Sequence, residues 1–250
     1  MNAPVTNSAA AVEAIRTPSG LDLWLARSPG LPLTVLDFAC EGGTSTDPAG
    51  LPGLAYFLSG MLDEGAGDLD SEAFQAELAD HAITQRFDTS RDEFRGTVRC
   101  LAVHREKAFG LLRQAISRPL FAAEAVERVR GQILAGLRTE RQSPETICRD
   151  LFSRTAFPNH PYGQPVKGTP DSVGRITAEE LKGLFPRLLV RQGLRIVLVA
   201  DMSPSEAADA VDAIFADVPD TAPVRAPEID LSGLGQIAIE HMDVPQTVLR

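Results

Sequence analysis

The sequence predicts an α+β fold, and three observations carry that reading. Residues 12–40 alternate apolar and polar side chains in short runs broken by turns, the signature of half-buried strands. Residues 105–156 carry apolar side chains at helical spacing, with Pro144 where a helix accepts its first residue. Residues 194–200 form a near-continuous apolar run, which reads as a strand central in its sheet.

Taken in order, residues 12–16 form the first strand and run into the turn Thr17-Pro18-Ser19-Gly20. Leu21, Leu23 and Leu25 then alternate with Asp22, Trp24 and Ala26, which makes Trp24 a core or sheet-face residue, and Pro29-Gly30 breaks the chain. A third strand at 33–40 ends at Gly42-Gly43, and residues 44–50 read as a loop with a turn at Asp47-Pro48. Pro52 suits a first helical position, and Leu54, Phe57, Leu58, Met61 and Leu62 carry helical spacing until Gly65-Ala66-Gly67 stops it. Asp70 or Ser71 caps a second helix with Phe74 and Leu78 on one face. Residues 83–88 and 94–101 read as two strands joined near Ser90-Arg91-Asp92.

Helices follow at about 105–117, 122–142 and 144–156. In the second of these, Arg128, Arg130, Arg138 and Arg141 beside Glu127 and Glu140 read as a solvated face. His160-Pro161-Tyr162-Gly163 reads as a loop. Thr177-Ala178-Glu179-Glu180 opens a helix as a capping box, and Ser203 caps a last one ending near Val218-Pro219. Residues 1–220 thus make one α+β domain, and 221–233, with Pro223 and Pro227, read as an interdomain linker. Strand patterns resume at 235–240 and 247–250, so 234–250 reads as the start of a second domain that is cut short.

Composition narrows the partners. Against 34 Asp and Glu stand 24 Lys and Arg, a net charge of −10, so no basic field draws in nucleic acid or an anionic membrane. No apolar stretch approaches the roughly 18 to 20 residues of a membrane span. The first 14 residues have neither the basic nor the apolar segment of a signal peptide, which leaves the cytoplasm, or the periplasm with a leader removed, both open. Cys40, Cys100 and Cys148 match no zinc or redox spacing and read as buried thiols. His81, His104, His160 and His241 are scattered, and no two stand one helical turn apart. H-E-x-x-H, C-x-x-C, G-x-S-x-G and the phosphate-cradling loop are all missing.

Longer stretches do carry a resemblance. Gly42-Gly43, Asp47-Pro48 and the run from Gly50-Leu51-Pro52-Gly53 to Asp63-Glu64-Gly65 resemble the insulinase, pitrilysin and mitochondrial processing peptidase family. His160-Pro161-Tyr162-Gly163-Gln164-Pro165-Val166-Lys167-Gly168-Thr169 is similar to that family's second familiar loop. The resemblance implies a two-layer domain with a mixed, largely antiparallel sheet packed against helices. Active members carry H-x-x-E-H on the helix after the Gly-Leu-Pro-Gly turn. Two imidazoles one turn apart then hold zinc, and the Glu takes a proton from the bound water. A further Glu about 76 residues on completes the ligands.

At the matching positions this chain has Tyr56 for the first His, Ser59 for the base, Gly60 for the second His and Gly136 for the distal ligand. None supplies an imidazole or a carboxylate, and Asp63 and Glu64, read as lying on the same helix, offer no nitrogen. A mid-helix Gly60 fits a face kept for close packing. No catalytic residue, metal ligand or cofactor is therefore expected in this chain, and zinc is expected only in a partner. The resemblance implies a non-catalytic subunit that shares a peptide-binding chamber with a zinc-bearing sister of the same fold. Two other readings stand beside it: a scaffold that binds extended peptides at the edge of strand 83–88, and an independent enzyme built on Tyr56 and Ser59 with Asp63 as base.

Overall fold

A computed structural model describes residues 12–230, 235, 237–242 and 247–249. The strands are β1 (Val12–Arg16), β2 (Asp22–Arg27), β3 (Leu33–Glu41), β4 (Thr84–Thr89), β5 (Glu93–Leu101) and β6 (Arg195–Ala200). The helices are α1 (Leu54–Ser59), α2 (Ser71–Asp80), α3 (Arg105–Ser117), α4 (Ala123–Glu140), α5 (Pro144–Ala156), α6 (Pro170–Arg175), α7 (Ala178–Leu188) and α8 (Pro204–Ile214). The strands form one sheet in the order β1-β2-β6-β3-β5-β4. Every neighbouring pair is antiparallel except β2 with β6. The expected two-layer α+β domain with a mixed, largely antiparallel sheet is what the chain forms.

The alternation in the sequence becomes a division between faces. Leu23, Leu25, Leu36, Phe38, Phe94, Val98, Ile196 and Leu198 all point to the helical layer and are almost wholly buried. Against them lie α3 over β5, α8 over β1 and β2, and α1 and α2 over β4. The other face carries polar and half-exposed residues, among them Trp24 and Val197, which settles Trp24 on the sheet face. The 194–200 strand lies inside the sheet between β2 and β3, as its apolar run predicts.

Three local readings change. The first helix begins at Leu54, behind Gly53 in the left-handed region at φ 91°, and stops at Ser59. Pro52 stands outside it, and residues beyond Gly60 turn through the tighter Gly60 N–H to Phe57 and Met61 N–H to Leu58 carbonyl bonds. Gly60 is therefore the C-terminal cap and not a mid-helix residue, and Asp63 and Glu64 leave the helix. The helix α6 is additional; the Thr169 and Ser172 side chains form its capping box. The last helix ends at Ile214, four residues short of Val218.

Arg130 also departs from its expected solvated place. Its guanidinium donates to the carbonyls of Val173 and, at 2.7 Å, Ile176, and its carbon lies 5.4 Å from the Phe57 ring centroid. Arg128 reaches Glu64 and Ser71. These two arginines pin α4 to the elements before and after it.

Residues 221–230 are irregular and lie along the domain. Arg225 pairs with Glu41 at 2.9 Å, and the His160 ring nitrogen Nε2 meets the Pro227 carbonyl at 2.9 Å. Of the resumed strand patterns, 235, 237–240 and 247–249 are irregular, and 236 and 250 lie outside the described residues, as do 231–234 of the linker and the following segment. Cys40 and Cys100 are buried as expected, whereas Cys148 is only half-buried. Burial pushes the Cys40 thiol up to about 12, so it stays protonated and inert.

Candidate functional site

The two familiar loops lock together and set the entrance to the site. Asp47 accepts from the Gly53 and Ala55 amides at 2.7 and 2.8 Å, which caps the free amides at the start of α1. Gly53 then abuts Gly168: a β-carbon on Gly53 would lie 2.7 Å from the Gly168 Cα. Gly168 itself has φ +74°, and its own β-carbon would fall 2.2 Å from the Pro52 carbonyl oxygen. The Ser172 hydroxyl donates to that same carbonyl at 2.8 Å. Only glycine fits both positions, so Lys167 is delivered to a fixed place beside α1.

Behind these loops is a cavity of about 250 Å³. Tyr56, Ser59 and Gly60 from α1 line it, with Phe87 and Asp88 from β4, Val129, Gln132, Ile133 and Gly136 from α4, and Lys167. Thus Tyr56, Ser59, Gly60 and Gly136, the positions matched to zinc ligands and base by resemblance, lie around a single space. Three helical turns of α4 contribute to one wall because Val129, Gln132, Ile133 and Gly136 recur at spacings of three and four. Gln132 and Lys167 were not legible as site residues. Gln132 belongs to no motif, and Lys167, though part of the second familiar loop, meets Tyr56 only through the interlocked loops.

The chemistry of the cavity is that of a paired lysine beside a phenol, a hydroxyl and a carboxamide, with Asp88 on the β4 side. The Lys167 ammonium lies 5.6 Å from the Tyr56 ring centroid and is bonded to Glu140, whose hydrogen bond pushes the lysine above its usual range. Ser59 donates its hydroxyl to the Tyr56 carbonyl at 2.7 Å, so it is occupied locally. Gly60 is closed in by the Val129 side chain, 3.3 Å from where a β-carbon would sit, whereas nothing lies within 4 Å of the equivalent point on Gly136. Asp63, weighed as a base for Ser59, does not line the cavity; burial raises its carboxyl to about 6. The independent-enzyme reading therefore loses its base.

Zinc does not fit this donor set. A phenol, a committed hydroxyl and two hydrogens offer no strong ligand, and the Lys167 ammonium beside them, paired with Glu140, supplies none. Among the described residues, no group of three or more His, Cys, Asp or Glu lies close enough to hold a metal ion. His81 and His104 do approach, with ring centroids 5.2 Å apart and edge-on, but His81 is engaged by the Glu77 carbonyl. A larger polar cleft of about 400 Å³ lies at the opposite edge of the sheet, beside Arg16 and Arg191. Those arginines are already committed to Asp22 and Ser19. No helix among the described residues is long and apolar enough to cross a membrane.

A one-sided mixed sheet with interlocked Gly-Leu-Pro-Gly and Lys-Gly-Thr loops defines a peptidase-like domain of the inverted-zinc type. Residues 36–170 match the insulinase family, peptidase family M16, and the chain belongs to that family. A relative named as a non-peptidase homolog, YmxG of Helicobacter pylori, is 27% identical over 172 residues, covering 69% of this chain and 40% of the relative. The mitochondrial-processing peptidase subunit beta of Neurospora crassa is 20% identical over 211 residues, covering 84% of this chain and 44% of the relative. The chain thus spans less than half the length of these curated relatives. The crystal structure of a peptidase M16 inactive domain from Pseudomonas fluorescens superposes with a TM-score of 0.80 at 24% identity, over 88% of this chain and 53% of that one. That likeness establishes the fold.

Proposed function

We propose that the chain is a non-catalytic subunit of an insulinase-family peptidase assembly, walling a peptide chamber beside a zinc-bearing sister of the same fold. The observation that carries the reading is the Lys167–Tyr56 contact inside the cavity that Ser59, Gly60 and Gly136 also line. Neutral groups occupy the matched ligand positions, with the Lys167–Glu140 pair beside them, so this chain neither binds catalytic zinc nor activates water there. Two relatives support the reading by their names, one a non-peptidase homolog and one a subunit of a processing peptidase. Residues 221–233 are proposed as the linker to a second similar domain beginning at 234. Adding the purified chain to a same-fold chain with an intact zinc motif should raise peptide hydrolysis above that of the sister alone. Equal rates with and without it would overturn the proposal.

A second reading, a peptide-binding scaffold without a proteolytic partner, is favoured by one observation. The strand β4 is an edge strand of the sheet and borders the cavity through Phe87 and Asp88. An edge strand offers amides and carbonyls to an extended chain. In this reading the peptide lies along β4, and the absence of a zinc-bearing sister is what separates it from the first.

A further inference from the structure

The side chains of β4 specify what an added peptide strand should carry, an inference that rests on β4 being the peptide-binding edge. Thr84, Arg86 and Asp88 are exposed on one face of the strand, while Gln85, Phe87 and Thr89 are buried on the other. In register with them on β5 lie Arg99 opposite Thr84, Thr97 opposite Arg86 and Arg95 opposite Asp88. Arg86 and Arg99 are therefore diagonal neighbours on the exposed face.

Their charges are not spent. The nearby cations are committed: Arg95 and Arg195 to Glu93, and Arg225 to Glu41. The Asp37 carboxylate takes the Thr97 hydroxyl. Arg86 and Arg99 make no hydrogen bond or ion pair among the described residues. Arg86 stands on the edge strand and Arg99 on the strand behind it, two uncommitted guanidinium groups on one face. On the buried face, Gln85 is only 7% exposed, yet both its amide nitrogen and its oxygen lack partners. Beside it, Phe87 forms part of the cavity wall with Val129 and Ile133.

A strand paired to β4 would alternate its own side chains between the same two faces. We infer that this edge selects an extended peptide with an acidic residue facing Arg86 and Arg99, and an apolar residue next to it entering the cavity beside Phe87. The acidic residue meets Arg86 directly, with Arg99 on the strand behind it and Asp88 two residues along on the same face. Its neighbour, pointing to the opposite face, meets Phe87, Val129 and Ile133 on the apolar side of a cavity of about 250 Å³. A peptide polar group near Gln85 would also satisfy a carboxamide that is otherwise buried without a partner. The selected partner is thus an acidic-apolar extended segment, although the acidic surplus of the chain as a whole would favour basic ones.

The test is fluorescence anisotropy on the isolated chain, with no sister and no hydrolysis, using labelled eight-residue peptides that differ at two adjacent positions. The Glu-Leu peptide should bind about three- to tenfold more tightly than Lys-Leu, the range of a few cross-strand ion-pair contacts. Arg86→Glu should reverse that preference while leaving Glu-Leu over Glu-Ser intact. Gly136→Leu, which adds a side chain where open space exists, should abolish the preference for Leu over Ser and spare the charge preference. Binding without acidic preference, or a preference that Arg86→Glu leaves unchanged, would overturn the inference and leave the subunit reading standing. No binding by any of the peptides would overturn the inference and the use of β4 as a peptide edge together. The subunit reading itself stands or falls on the separate hydrolysis assay with the sister.

Discussion

Lys167 points its ammonium at the face of Tyr56, 5.6 Å from the ring centroid, inside the cavity that Gly60 and Gly136 also border. The arrangement opposes a metal in two ways: the ligand positions hold no imidazole or carboxylate, and the Lys167 ammonium, paired with Glu140, lines the same space. Restoring only the donors should therefore be insufficient. A chain carrying Tyr56→His, Ser59→Glu, Gly60→His and Gly136→Glu is expected to bind zinc about tenfold more weakly than the same chain with Lys167→Leu added, because that change removes a nearby ammonium and releases the Glu140 carboxylate from its pair. Gly60 has φ −81° and ψ 0°, which a histidine adopts without backbone strain, while its β-carbon, 3.3 Å from Val129, requires that side chain to shift slightly. Competition with a zinc-binding dye reads the difference, and equal affinities would show that Lys167 does not govern the site.

The contact between Gly53 and Gly168 fixes the lysine's position, so its loss should be felt in both stability and binding. Gly168→Ala places a methyl 2.2 Å from the Pro52 carbonyl oxygen at a backbone φ of +74°. Overpacking and left-handed strain together are expected to cost about 2 to 4 kcal/mol. Urea denaturation checks the value. A change under about 0.5 kcal/mol, the range of an ordinary surface substitution, would mean that the two loops separate freely.

The sequence made the sheet legible because its two faces differ. Leu23, Leu25, Leu36 and Phe38 alternate with polar or half-exposed neighbours, so period two survives in the one-dimensional pattern. The helix α6 was hidden because its capping box ends in Ser172 and it spans only six residues. Arg130 looked solvated because its partners are backbone carbonyls of Val173 and Ile176, which no side-chain pattern encodes. The candidate site was half legible. Tyr56, Ser59 and Gly60 stand within five residues, and Gly136 followed from the family spacing. Gln132 had no local signal, and the second familiar loop that holds Lys167 gave no sign of its role, since only the folded chain brings them to the cavity that Tyr56 lines.

In the sheet interior, Gly96 faces Phe38 and Phe87 across two registers, and a β-carbon there would fall 2.2 Å from the Phe38 ring. Gly96→Ala should therefore destabilise the domain by about 1 to 3 kcal/mol, the usual range for an overfilled core. The cause is separable from the loss of glycine flexibility. Adding Phe38→Leu, which shortens the ring, should make the double variant less destabilised than the sum of the two single changes. Additive values would place the cost elsewhere than in the ring contact.

Asp47 provides a pH-dependent test of the α1 cap. Burial raises its carboxyl from the usual 3.8 to about 7, against the lowering effect of the amides of Ala55, Gly53 and Leu54. The folded state thus holds this proton more tightly than the unfolded chain does. The associated stability is fully present below about pH 4 and is lost as pH rises through 7, where the buried group must ionise. Asp47→Asn cannot titrate, so the stability of the wild type relative to the variant should decline steadily from pH 4 to pH 7 and then level off. Urea midpoints at half-unit pH intervals would follow this difference. A difference that instead grows with pH would mean that the amide bonds at the helix start outweigh burial, and that the carboxylate is held ionised.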